Sequence, residues 1–122
     1  HDSSVNSTGS RRKGFEPVTN VSRAPGARHP MLRTHPVTGR KALFLGRRRN
    51  AYIVDLSVEE SEHTLDLLWQ EVSQDRYIYT HKWKAGDLLL WDNRCTMHRR
   101  DAFDPNSRRI MHRTQVKGDR PV

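Results

Sequence analysis

The fold of this chain is predicted best from the stretch Trp91-Asp92-Asn93-Arg94-Cys95-Thr96-Met97-His98. This stretch continues directly from Asp87-Leu88-Leu89-Leu90-Trp91, an apolar run that is typical of a β-strand. The polar residues after Trp91 predict a loop, and this loop ends at His98. Because a neutral imidazole at the end of a strand can ligate a metal ion, His98 is a candidate metal ligand.

Two arginines in the next predicted strand add a candidate anion site to this histidine. The strand is predicted over residues 109–116 and contains Arg109 and Arg113. Side chains alternate between the faces of a strand, so the even spacing places both guanidinium groups on one face. A guanidinium can hold a carboxylate with two parallel hydrogen bonds. Together with His98, these arginines predict a metal site that serves an acidic co-substrate, and plain surface charge is the alternative interpretation.

Upstream of this stretch, the sequence predicts a β-hairpin. Short apolar segments at residues 31–34 and 42–45 are typical of strands, and Pro36-Val37-Thr38-Gly39 lies between them. Proline presets its φ angle and glycine permits a positive φ, so these four residues favour a turn. Arg47-Arg48-Arg49 follows the hairpin as a basic loop.

A helix and another strand are predicted between the hairpin and the apolar run. Ser57-Val58-Glu59-Glu60 has the pattern of a capping box, which begins a helix. Four apolar residues at helical spacing then predict one apolar face: Leu65, Leu68, Trp69 and Val72. Alternation over residues 77–83 predicts a strand. The element order predicts a mainly β fold with one or two helices, arranged as a sandwich or barrel.

The composition limits the class of protein. The 122 residues are enough for one domain with a modest core, and only 34% of them are apolar. No apolar run approaches the roughly 20 residues of a membrane span, and the N-terminus has no signal-peptide pattern. A single cysteine, Cys95, excludes an internal disulfide and a Cys-rich zinc module. These features predict a cytoplasmic protein with no membrane association.

The N-terminal segment, residues 1–28, differs in composition from residues 29–122. It is rich in Ser, Asn, Gly, Pro and Arg, and such a segment buries too little apolar surface to offset chain entropy. We predict a flexible loop or a lid over a site, with an unstructured end produced by truncation as the alternative. The chain begins at His1 rather than at a methionine, which predicts that a further segment precedes it.

The sequence supports other functions less well than a metal site at His98. Cys95 and His98 have the spacing of half a zinc site, but the sequence contains no second pair. No base is predicted beside Cys95, so a buried thiol is the better interpretation than a nucleophile. The net charge of +8 raises nucleic acid as a partner, but the short basic clusters lack interleaved aromatic residues. Nucleic-acid binding is therefore not the preferred prediction.

Three regions of the sequence together carry a family resemblance. The first runs from His29-Pro30-Met31-Leu32-Arg33-Thr34-His35-Pro36 through Thr38-Gly39-Arg40-Lys41-Ala42-Leu43-Phe44. The second is Lys84-Ala85-Gly86-Asp87, and the third joins the stretch ending at His98 to Arg108-Arg109-Ile110-Met111-His112-Arg113. Over residues 29–118, the chain resembles the C-terminal half of the taurine/2,4-dichlorophenoxyacetate dioxygenase family. These are non-haem Fe(II), 2-oxoglutarate-dependent oxygenases on a double-stranded β-helix, or jelly-roll, core.

The resemblance implies roles for three residues. Iron in this family is held by a His-x-Asp/Glu pair and a distant histidine, and His98 matches the distant histidine. Arg109 matches the arginine that binds the far carboxylate of 2-oxoglutarate. Arg113 matches a second arginine of that pocket, which contacts the co-substrate or an anionic substrate. The implied catalytic residues are therefore His98 and Arg109, with His98 as metal ligand and both arginines as co-substrate ligands.

The sequence departs from the family pattern at the other two iron ligands. None of the seven histidines begins a His-x-Asp or His-x-Glu triplet. We therefore predict a dioxygenase that is active only with an upstream half carrying those ligands. Its implied substrate is a small organic acid resembling a sulfonate or an aryloxyalkanoate, its other reactant is O2, and a homo-oligomer is a family-level expectation. A catalytically inactive fragment or a basic nucleic-acid-binding module is the alternative.

Overall fold

The computed structural model describes residues 2–6, 10–46 and 50–118. The basic loop predicted at residues 47–49 lies outside the described residues. The chain divides into two compact units. The first unit comprises His1–His29 and Leu45–Leu88, and the second comprises Pro30–Phe44 and Leu89–Val122.

The predicted hairpin is confirmed in the second unit. Its strands are β1, Leu32–Thr34, and β2, Lys41–Leu43, and they pair antiparallel with Arg33 opposite Ala42. The turn closes through two backbone hydrogen bonds, from the His35 amide to the Arg40 carbonyl at 2.8 Å and from the Gly39 amide to the His35 carbonyl at 2.9 Å. Gly39 has a φ of 68°, a conformation that glycine adopts without strain.

The predicted helix is confirmed in the first unit as α1, Val58–Val72. Ser57 caps it as expected, because its hydroxyl accepts a hydrogen bond from the Glu60 amide while the Glu60 carboxylate accepts one from the Ser57 amide. Leu65 is 3% exposed and anchors the apolar face. Ser61 is fully buried, and its hydroxyl accepts a hydrogen bond from the Ile53 amide. The helix is thus held by its cap and by the buried side chains of Ser61 and Leu65.

Two short 3-10 helices complete the regular structure of the first unit, at Val21–Arg23 and Asp75–Tyr77. Asp2 lies in the predicted N-terminal loop and is buried, and its carboxylate accepts hydrogen bonds from the Ser4 amide and the Asn50 side chain, both at 2.7 Å. Burial raises the pKa of Asp2, but these hydrogen bonds outweigh that effect and leave the pKa below its usual value.

The strands predicted at residues 77–83, 87–91 and 109–116 are absent from the described part of the chain, so this prediction is wrong there. A β-strand needs a neighbour that takes up its backbone hydrogen bonds, and these segments have none among the described residues. Leu88 and Leu90 are accordingly 94% and 92% exposed. The described residues thus form one α-helix, two short 3-10 helices and one two-stranded sheet, and the jelly-roll core implied by the resemblance stays a prediction.

No helix in the described residues combines the length and apolar character needed to span a membrane.

Candidate functional site

The polar loop after Trp91 is ordered around Asp92. The Asp92 carbonyl accepts hydrogen bonds from the Cys95 amide at 3.3 Å and from the Thr96 amide at 3.0 Å. The Thr96 hydroxyl donates to the same carbonyl at 2.6 Å. Such a turn, in which one residue satisfies several donors that follow it, gives the loop a defined shape without regular secondary structure.

The Asp92 carboxylate is also held by Arg94. The Arg94 backbone amide and Nε donate to Oδ1 at 2.8 and 2.9 Å, and Nη2 donates to Oδ2 at 2.7 Å. The Arg94 side chain, followed by its backbone amide and then by His35, holds the pKa of the Asp92 carboxyl well below its usual value of 3.8. Asp92 is therefore an ionised acceptor at neutral pH.

His35 reaches Asp92 from the hairpin turn. Its Nε2 lies 3.1 Å from Asp92 Oδ2, although the two residues are 57 positions apart in the sequence. His35 is 7% exposed, directly after β1. The loop and the hairpin are thus joined inside the second unit by a largely buried histidine.

His35, Asp92 and Cys95 form a group whose candidate ligand atoms all lie within 4.8 Å of one another. We interpret the group as a hydrogen-bond cluster rather than a metal site. Asp92 is engaged by Arg94, and both ring nitrogens of His35 have hydrogen-bond partners. Cys95 is exposed, in contrast to the buried thiol expected from the sequence.

His98 differs from His35 in that its ring remains available. The His98 ring centroid lies 5.1 Å from that of Trp91, with the planes tilted by 52°. His98 is exposed, and none of the residues in the described ranges forms a hydrogen bond with its ring. An exposed imidazole is accessible to a metal ion, although the described residues place no further candidate ligands around His98.

The two candidate arginines contact different aromatic rings. The Arg113 guanidinium carbon lies 5.7 Å from the centre of the Trp91 ring, so His98 and Arg113 share that tryptophan as a neighbour. The Arg109 guanidinium carbon lies 5.5 Å from the centre of the Phe103 ring. All three candidate side chains are exposed. The structure therefore places His98 and Arg113 each beside Trp91, and Arg109 beside Phe103.

Sequence reasoning did not assign His35 and Asp92 to the site. Asp92 had a local signal, since an aspartate two residues before an arginine and four before a threonine favours a turn closed on its own carboxylate and carbonyl. No local sequence pattern predicts the hydrogen bond between His35 and Asp92, because it depends on how two distant segments fold together.

The comparison with known families decides the classification. The model of the family described as "Taurine catabolism dioxygenase TauD, TfdA family" matches residues 4–115. This chain belongs to that family. The match confirms the resemblance seen in the sequence and extends it into the N-terminal segment, where it had been expected to begin near residue 29. No solved structure matches the chain.

Curated relatives in this family carry names that describe related activities. The chain is 38% identical over 96 residues to an "Alpha-ketoglutarate-dependent 2,4-dichlorophenoxyacetate dioxygenase" of Burkholderia sp. (strain RASC), covering 79% of this chain and 32% of the relative. It is 42% identical over 90 residues to an "(S)-phenoxypropionate/alpha-ketoglutarate-dioxygenase" of Sphingobium herbicidovorans, covering 74% and 31%. It is 34% identical over 97 residues to an "Alpha-ketoglutarate-dependent sulfate ester dioxygenase" of Pseudomonas putida, covering 77% and 31%. The chain spans about a third of the length of these relatives.

The low pKa of Asp92 predicts a dependence of stability on acid. Because the folded state binds this proton less readily than the unfolded state, Asp92 stabilises the fold above its usual pKa of 3.8, and this contribution is lost as the pH falls below that value. Asp92→Asn removes the ionisable group, so its free energy of unfolding should vary less steeply with pH than that of the wild type. Chemical denaturation between about pH 5 and pH 2, where a carboxylate with a lowered pKa takes up its proton, measures the slopes.

The matched control is Asp101→Asn, at a carboxylate that is 76% exposed. This variant should keep the slope of the wild type. Equal slopes for the wild type and Asp92→Asn would contradict the ionised Asp92–Arg94 pair.

Proposed function

We propose that this chain is part of an Fe(II)- and 2-oxoglutarate-dependent dioxygenase that hydroxylates a small organic acid. The observation that supports the proposal is the family match over residues 4–115, which includes His98, Arg109 and Arg113. Residues 29–122 form the C-terminal half of the catalytic domain in this proposal, and the domain as a whole has the jelly-roll core of the family. Residues 1–28 act as a loop or lid.

His98 is the iron ligand that this chain contributes. Its exposed imidazole lies beside Trp91 at a tilted angle, and this exposure leaves it accessible to a metal ion. The other two ligands, a His-x-Asp or His-x-Glu pair, belong to the part of the relatives' length that this chain does not span. Fe(II) bound with 2-oxoglutarate supplies the activation of O2 that hydroxylation requires.

Arg109 and Arg113 bind the anionic groups of the co-substrate and the substrate. Arg109 binds the far carboxylate of 2-oxoglutarate, because a guanidinium fork matches the two oxygens of a carboxylate and orients the molecule. Arg113 holds a second anionic group of the co-substrate or the substrate in this proposal, and its contact with Trp91, the residue that His98 also contacts, supports that role. The net charge of +8 favours the approach of these anions.

The substrate class follows from the names of the relatives. They act on a chlorinated phenoxyacetate, a phenoxypropionate and a sulfate ester, which are all organic acids of modest size. We propose an aryloxyalkanoate or a sulfonate as the substrate of the present protein. O2 and 2-oxoglutarate are the co-substrates, the protein works in the cytoplasm, and a homo-oligomer is its proposed assembly.

The experiment is an assay of 2-oxoglutarate turnover by the full-length protein. Succinate formation is measured with Fe(II), 2-oxoglutarate and a panel of aryloxyalkanoates, sulfonates and sulfate esters, with neutral analogues of the same acids as controls. We expect succinate to form only when iron is present and to rise with at least one of the acids. Absence of iron-dependent succinate across the panel would reject the dioxygenase.

The basic charge supports one competing candidate, a nucleic-acid-binding module, which the same preparation can test. If the charge acts only as a diffuse field, binding to duplex DNA should be weak and should vanish by about 200 mM salt. Tight binding that survives this salt concentration, together with no turnover, would favour the module.

A further inference from the structure

His35 uses every polar atom that it has. Its backbone amide donates to the Arg40 carbonyl and its own carbonyl accepts from the Gly39 amide. Its ring Nδ1 lies 3.3 Å from the Val37 amide and 3.2 Å from the Thr38 amide. With Nε2 on Asp92, the side chain is held at both ends and is 9% exposed.

These partners determine where the ring proton lies. The amides of Val37 and Thr38 can only donate, so Nδ1 must be an unprotonated acceptor. Nε2 therefore carries the proton of a neutral imidazole and donates it to the Asp92 carboxylate. The hairpin turn thus selects the tautomer that can hold Asp92, as partners of a histidine commonly do.

His35 holds the loop that ends at His98 from outside that loop. In the described ranges, the Asp92 carboxylate accepts hydrogen bonds from Arg94, which lies in the same loop, and from His35, which lies outside it. The ends of the loop are also in contact, since the Trp91 and His98 rings are 5.1 Å apart. The link from His35 therefore ties the segment that carries the metal ligand to the hairpin.

We propose that His35 is a positioning residue. Its Nε2–H holds Asp92, and through Asp92 it holds the loop that ends at His98 and sets the position of His98. The inference rests on the proposed function, because it takes His98 to be the iron ligand. Residues that orient metal ligands without binding the metal themselves typically contribute about 10- to 100-fold to metal affinity.

Two variants test the hydrogen bonds of Nε2 and of Nδ1 separately. In His35→Gln the side-chain amide can place a donor near the position of Nε2, but it lacks the acceptor at Nδ1. In His35→Asn the shorter side chain keeps an acceptor near the Val37 and Thr38 amides and does not reach Asp92. Both variants replace the imidazole by a carboxamide, and they differ only in the length of the side chain. They therefore form a matched pair in the full-length protein.

Three measurements are made on the pair and on the wild type. We expect His35→Asn to bind Fe(II) about 10- to 100-fold more weakly than the wild type, and His35→Gln to recover most of that loss. Exchange of the Thr96 amide, which donates to the Asp92 carbonyl, should accelerate in His35→Asn and stay slow in His35→Gln. Nitrogen NMR of the metal-free wild type should show a protonated Nε2 and an unprotonated Nδ1.

A protonated Nδ1 in the wild type would overturn the proposal even if neither variant folds. So would wild-type iron affinity in His35→Asn, or an equal loss in both variants that follows their thermal stability, since a purely structural role predicts that pattern. If the wild type itself does not bind Fe(II), the proposed function fails. In that case, the tautomer and the Thr96 exchange still test the His35–Asp92 link separately.

Discussion

Replacement of His98 by alanine in the full-length protein should lower Fe(II) affinity by more than about 100-fold and abolish iron-dependent formation of succinate. Outer residues around a metal ligand contribute up to about 100-fold, so removal of a ligand itself should cost at least as much. His98 is exposed and its ring lies tilted beside that of Trp91, so the variant should keep its fold. Iron binding is measured by titration under anaerobic conditions, and succinate by chromatography.

The matched control for this variant is His63→Ala. His63 is an exposed histidine on α1, in the other compact unit, so its loss should change neither iron affinity nor turnover. Full turnover by His98→Ala would reject His98 as the iron ligand. A loss in both variants would indicate a general effect of removing histidines rather than a role of this one.

Arg109→Ala should raise the KM for 2-oxoglutarate about 100-fold, while Arg109→Lys should retain part of the affinity as a single point charge. Two hydrogen bonds from a guanidinium to a carboxylate contribute about 3 kcal/mol together, and each 1.4 kcal/mol corresponds to about a tenfold change in affinity. Lysine lacks the planar fork, so it cannot restore both hydrogen bonds. Steady-state kinetics at saturating organic acid separates KM from kcat.

Arg108→Ala is the control, because it removes the same charge from the neighbouring exposed position. We expect its KM for 2-oxoglutarate to stay within about threefold of the wild type, since a diffuse surface charge contributes little. Equal increases in both variants would show that general positive charge, rather than a specific fork at Arg109, binds the co-substrate.

Local sequence patterns were sufficient for the hairpin and for α1. The hairpin depends on Gly39 and on strands only three residues long, and α1 depends on the reciprocal bonds of Ser57 and Glu60. Each of these interactions joins residues close together in the chain, so the residues themselves carry the information. The family could also be predicted, because the stretch from Trp91 to His98 and the arginines beyond it have a specific spacing.

Strand prediction failed where pairing was required. Residues 87–91 have a strong strand composition, but composition expresses how well side chains fit a pleated surface and does not supply a partner. In the described residues these segments lack a neighbouring strand, and Leu88 and Leu90 are left almost fully exposed. The extent of β structure is therefore a property of pairing and not of the segments alone.

By itself, the sequence determined the hairpin, the capped helix, the family and the three candidate residues His98, Arg109 and Arg113. Only the tertiary structure showed that His35 holds Asp92 across 57 positions and that His98 and Arg113 each lie beside Trp91. The reason is physical: a cap or a turn is decided by neighbours in the chain, whereas a hydrogen bond between distant segments exists only after folding has brought both to the same place.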